Sequence, residues 1–207
     1  MRRKQLKRIN EKIATLFLIC LISLAITGYT YSHWTDILTI LGTINTGNLK
    51  ITIDNQKLIP DIGYSKTPDN KTVTISAEIT TGWQIWVGII IKNNGTTPAT
   101  ITYTITTNNT STWQTYFTHN EYFYGPYATN PPPDKWENVP TPPPSGGLSS
   151  PPELPAQNKL VTWQNITLSD TCPQNAFTAI EITVAYTATF HTWTDTVYVK
   201  YTLTFQS

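Results

Sequence analysis

From residue 47 onward, apolar side chains recur at every second position. That spacing lines one face of an extended strand, whereas a helix would scatter it around its circumference. In residues 47–54, Leu49, Ile51 and Ile53 oppose Lys50, Thr52 and Asp54. Residues 71–79 set Val73, Ile75, Ala77 and Ile79 against Thr72, Thr74, Ser76 and Glu78, and residues 99–106 set Ile101, Tyr103 and Ile105 against threonines. The same alternation runs through residues 178–190 (Ile180, Ile182, Val184, Tyr186, Phe190) and 195–205 (Val197, Val199, Tyr201, Leu203, Phe205). Residues 85–92 (IWVGIIIK) are apolar on both sides, as a central or doubly covered strand would be, and residues 158–168 form a less regular strand candidate. No 3.6-residue periodicity stands out after residue 32.

The polar positions of these strands are mostly threonine. The chain has 38 threonines and only 13% charged residues. Threonine favours extended backbone and wets a face without charge. Two sheets, each with one buried and one threonine face, would pack as an all-β sandwich. Residues 125–155 interrupt the pattern with eleven of the fifteen prolines. Proline cannot donate to a ladder, so this insertion is expected to be an extended loop, pinned by Trp136 and Leu148. It reads either as a binding or inter-subunit element or as a stiff surface excursion.

The first 32 residues are of another kind. Arg2, Arg3, Lys4, Lys7, Arg8 and Lys12 precede an apolar run over residues 13–26. A basic start followed by a short apolar stretch reads as an export signal, with a cut expected after residue 32; a retained membrane anchor is the other reading. The expected organisation is therefore a signal peptide over 1–32, a strand and linker over 33–46, and a sandwich over 47–207. After the cut, Cys172 is the only cysteine, which leaves no internal disulfide.

Removing the signal changes the charge balance. The whole chain carries +1, but residues 33–207 hold eight lysines, twelve acids and no arginine. Such a body has neither the field nor the guanidinium forks that nucleic acid requires. His33, His119 and His191 are too far apart for a local metal motif, and no zincin, nucleophile-elbow or phosphate-loop signature occurs. No cofactor, metal ligand or catalytic residue is expected, although a sandwich can bring His119, Glu121 and His191 together. Trp83, Trp86, Trp113, Trp136, Trp163 and Trp193, with Tyr116, Phe117, Tyr122, Phe123, Tyr124 and Tyr127, read either as core or as a sugar-stacking platform. Sequons at Asn70, Asn94, Asn108, Asn109 and Asn165 are candidate N-glycosylation sites.

Residues 33–42 (HWTDILTILG) would form the new N-terminus. They are β-prone and apolar on both faces: Trp34, Leu38 and Ile40 alternate with Ile37 and Leu41. Such a segment either pairs within its own sandwich or adds to a neighbour's sheet. Trp34-Thr35-Asp36 followed by residues 42–49 (GTINTGNL), and later Lys92-Asn93-Asn94-Gly95-Thr96, resemble the opening motifs of TasA/camelysin-like proteins, in particular archaeal bundling pilins. The resemblance covers roughly residues 13–106. It implies a jelly-roll-like sandwich with a protruding N-terminal donor strand. Camelysin-type members are described as metalloproteases, but no ligand residues match here and that activity is not carried over.

These readings give an expected role as a structural subunit of an extracellular, cell-surface filament, not an enzyme. The donor strand would comprise His33, Trp34, Asp36, Ile37, Leu38, Ile40 and Leu41. Ile180, Ile182, Val184, Tyr186, Val197, Val199, Tyr201 and Leu203 are the candidate acceptor groove. Expected partners are identical subunits in a homopolymer, with lateral bundling between filaments, and the membrane only transiently through the signal. The alternative is a monomeric secreted or surface-anchored carbohydrate-binding sandwich.

Overall fold

The computed structural model describes residues 15–25, 47–137, 142–173 and 176–206. The chain divides into two units, Met1–Asn45 and Thr46–Ser207. In the first, residues 15–25 form a helix, α1, whose apolar side chains are exposed, Leu16 and Phe17 among them. Among the described residues no helix is long and apolar enough to cross a membrane.

The second unit is an all-β sandwich. One sheet has four strands: β1 (Ile51–Ile59), β4 (Gln84–Asn93), β8 (Lys159–Leu168) and β6 (Phe117–Tyr127), side by side in that order. The other has six, in the order β2 (Tyr64–Lys66), β3 (Thr72–Ile79), β10 (Trp193–Phe205), β9 (Ala179–Phe190), β5 (Ala99–Thr107) and β7 (Glu153–Leu154). Strand pairs are antiparallel except β3 with β10, where Val73 meets Val199 and Ile75 meets Tyr201. The alternating apolar residues of both sheets point inward. Ile51 and Ile53, Val73 and Ile75, Ile180 to Tyr186 and Val197 to Leu203 meet there as one core.

The structure changes the expected picture of the outer faces. Only the six-stranded sheet turns a threonine face to solvent. The four-stranded sheet has a second apolar layer outside, made by Ile90, Tyr124, Val161 and Trp163 and closed by Trp136. This is why β4 and β8 are apolar on both sides. The proline-rich insertion supplies the cover. The Trp136 and Trp163 rings lie 5.8 Å apart, and Trp163 Nε1–H donates to Lys135 O at 3.1 Å. Lys57 Nζ holds Glu137 O at 2.9 Å, and the Tyr124 hydroxyl donates to Pro144 O at 2.5 Å. Leu148 anchors through its backbone, exchanging two hydrogen bonds with Phe123, while its side chain stays exposed. The insertion is therefore a strap over one sheet, and it also contributes strand β7.

Helix α2 and strands β2, β6 and β7 lacked a sequence signal, and β1 was legible only in its first part. The short helix α2 (Thr110–Tyr116) is capped by Asn109, whose Oδ1 accepts from Thr112 N–H at 3.1 Å. Strand β6 buries aromatics on both faces and so hides its alternation. Strand β1 keeps the alternation read over residues 47–54 as far as Ile53 and then runs on to Ile59 past a register shift between Ile53 and Asn55, where the pattern is lost.

Gly88 shows how tight the outer layer is. A Cβ built there would lie 2.9 Å from the Trp163 indole, which is locked under Trp136 and hydrogen-bonded. Gly88→Ala is expected to destabilise by about 1–3 kcal/mol through overpacking, although alanine is the better strand residue. Urea unfolding should show a lower midpoint with an unchanged slope.

Candidate functional site

The two flanks of the sandwich differ. On the flank between β1 and β3/β10, Ile53 N–H donates to Asn70 O at 2.8 Å. Lys71 Nζ there donates to Ile51 O and to Asp195 Oδ2, each at 2.5 Å, and Ile51 N–H donates to the same carboxylate oxygen. Backbone and charge together close that side.

The flank between β5 and β6 is open. Strand β6 ends the four-stranded sheet, and β7 covers β5 only at Ala99 and Thr100. From Ile101 to Thr107, β5 pairs with β9 alone. The facing edge of β6 is met at Phe123 by Leu148 and by no further strand. Tyr103 bridges the gap, its ring 5.8 Å from Phe123 and 6.1 Å from His119. Tyr103 and Ile105 point toward the core yet remain half-buried, because no strand covers them. Helix α2 joins β5 to β6, and its Trp113 stacks on Phe117 at 5.3 Å.

Behind this flank lies a buried polar cluster. Glu121 Oε1 accepts hydrogen bonds from the Tyr186 hydroxyl at 2.5 Å and from Thr162 Oγ1. Its Oε2 sits 3.1 Å from His119 Nε2, close enough for an ion pair but not aligned as a hydrogen bond. Gln164, the cross-strand partner of Glu121, and the Tyr201 hydroxyl are also buried there without a hydrogen-bond partner. Burial pushes the Tyr186 and Tyr201 phenols well above their ordinary pKa, with the Glu121 charge second. Two hydroxyl donors on one oxygen offset part of the cost of keeping this carboxylate from water.

The expected site residues fall as follows. His33, Trp34, Asp36, Ile37, Leu38, Ile40 and Leu41 lie outside the described residues, as does the expected cut. Ile180, Ile182, Val184, Tyr186, Val197, Val199, Tyr201 and Leu203 all belong to the closed core. They sit on β9 and β10, which have neighbouring strands on both sides, so any strand added here would pair elsewhere and meet these residues by their faces. His119 and Glu121 do meet, but His191 is in the β9–β10 turn against Phe190, 4.4 Å between rings. Among the described residues no three His, Cys, Asp or Glu side chains gather as a metal site.

The aromatic residues form no single platform. Phe117 and Phe123 belong to the core between the sheets, Trp163 and Tyr124 lie under the strap and pack against its Trp136, and Trp193 stands at a hairpin tip. Of the sequons, Asn70 is exposed in a turn. Asn94 donates to Thr52 Oγ1, Asn108 Oδ1 accepts from Glu181 N–H, and Asn109 caps α2. Asn165 is buried, its amide donating to Ile85 O at 3.1 Å, so a glycan has no place there in the folded domain. Sequence reasoning missed the β5/β6 flank, since an edge depends on strand order.

No family model matches this chain, and no curated protein matches it in sequence. Among solved structures, it is similar to a family 123 glycoside hydrolase from Clostridium perfringens, with 11% identity and a TM-score of 0.38. The match covers 76% of this chain and 27% of the hydrolase, so this chain spans about a quarter of its length. A second similar structure is the GAE domain of GGA2p from Saccharomyces cerevisiae, at 9% identity and a TM-score of 0.29, covering 76% of this chain and 96% of that domain.

Two outcomes follow from this geometry. Tyr186→Phe removes one donor from the buried Glu121 carboxylate and is expected to cost about 1–3 kcal/mol, measurable by denaturant unfolding. The Tyr124 phenol, pushed up to about 12 by burial and then by Tyr122 and Tyr127, holds the strap at Pro144. Its folded pKa lies above the unfolded value of about 10, so its contribution is full below pH ~10 and is lost as pH rises toward ~12. Proteolysis of the strap should accelerate across that window, in step with phenolate absorbance, and Tyr124→Phe should remove that step.

Proposed function

We propose that this chain is an exported structural subunit that assembles into an extracellular filament by strand addition. The reading rests on the unpaired edge of β5. A row of free backbone groups beside half-buried core residues is an invitation to another strand. The seven residues Ile101–Thr107 offer an edge of about 23 Å, and a nine-residue strand over 33–41 extends about 30 Å. That segment is apolar on both faces, which suits a position between two sheets. The basic start and the exposed apolar helix α1 support an export signal removed before assembly, leaving 33–46 as strand and linker.

In this reading the incoming strand lies along β5, over Tyr103 and Ile105, and completes a jelly-roll-like sandwich. Donor and acceptor are different parts of the surface, so the contact is head-to-tail and propagates. The sparse charge of the body limits repulsion between successive subunits. No catalytic step is assigned to the chain.

Deletion of residues 33–41 is expected to abolish filaments seen by electron microscopy while leaving a folded sandwich by circular dichroism. A synthetic peptide of residues 33–42 added to that deletion should bind one-to-one and protect β5 amides from hydrogen exchange. Normal filaments from the deletion would overturn the reading.

A further inference from the structure

The outer face of the six-stranded sheet has no assigned use. Across β5, β9, β10 and β3 it carries Thr100, Thr102, Thr104 and Thr106, continued in register by Thr183, Thr187 and Thr189, and then by Thr194, Thr196, Thr202 and Thr204. Only Lys200, Glu181 and Glu78 bring charge, and none of the three forms an ion pair within the described residues. Tyr198 is the only aromatic ring in its middle, with Lys200 Nζ 5.9 Å from the ring centre. A lone ring gives a sugar little to stack on, and a face with one cation gives a polyanion nothing to hold.

We infer that this threonine face docks against the same face of a second copy of the chain. Four strands about 4.8 Å apart and ten residues long present on the order of 600 Å², so a pair buries ~1,200 Å², the lower end of stable specific interfaces. Threonine presents a small methyl and a hydroxyl, so two such faces can approach as stacked sheets and exchange hydrogen bonds. The charges make the face self-complementary. Lys200 on β10 opposes Thr183 of β9, and Glu181 lies one step further along β9 opposite Thr202. A two-fold axis passing between Lys200 and Glu181 sets each against the other in the opposing copy, giving two ion pairs from one symmetry element. The pairing belongs to the folded sandwich and does not depend on strand addition. In a filament the same contact would join neighbouring filaments sideways.

The test uses the exported full chain and measures mass by sedimentation equilibrium, with bundle width by electron microscopy. The wild type should associate in pairs. Lys200→Glu and Glu181→Lys should each weaken pairing on the order of tenfold, since two attractions become two like-charge contacts. The double swap should restore it. Thr187→Arg, on the same exposed face and away from the core, should also abolish pairing and leave single filaments of normal length. Loss of filaments altogether after deletion of 33–41, with pairing intact, separates this contact from strand addition. Unchanged association in Lys200→Glu and Thr187→Arg would overturn the inference. Retention of the wild type but not Thr187→Arg on insoluble polysaccharide, with both monomeric, would overturn it in favour of a sugar ligand.

Discussion

The hairpin of β9 and β10 is the constraint on which the sandwich depends. Its two long strands run in register from Trp193 opposite Phe190 to Thr204 opposite Ala179. Their inward residues fill the centre of the core, and their outward residues make the middle of the threonine face. Because side chains alternate strictly, a slip of one residue would exchange those two sets. β3 adds on one side and β5 on the other, and the four-stranded sheet packs across the resulting floor. Strand order thus leaves β5 only partly covered, and the open flank follows from it.

The two sheets solve the problem of a second face differently. The six-stranded sheet wets its outer face with hydroxyls. The four-stranded sheet buries its own under a strap held by Trp136, Tyr124 and Lys57. Proline suits this covering segment because its backbone needs few hydrogen bonds from the sheet it crosses. Gly88 gives the Trp163 indole the room that any side chain would take.

Legibility in the sequence tracks how cleanly a strand separates its faces. Segments 71–79, 99–106, 178–190 and 195–205 place their apolar positions on the core side as their alternation indicates, because each has one dry and one wet face. β6 was illegible for the opposite reason, since Phe123 faces the core while Tyr124 faces the strap. β1 loses its pattern at a bulge. The pairing of His119 with Glu121 follows from their two-residue spacing on one strand, whereas the hydroxyls of Tyr186 and Thr162 arrive from strands far along the chain. The open edge of β5 was not legible, because apolar alternation marks burial and carries no information on which strand stands at an edge.

The parallel partnership of β3 with β10 has a consequence in time. The strand that separates β3 from β9 comes from the far end of the chain, so the six-stranded floor stays split until β10 has emerged. Pairings of such long sequence separation are slow to form, because the loop entropy is lost before the contacts arrive. A sheet built this way keeps β3 apart from β9 and β5 until β10 joins them.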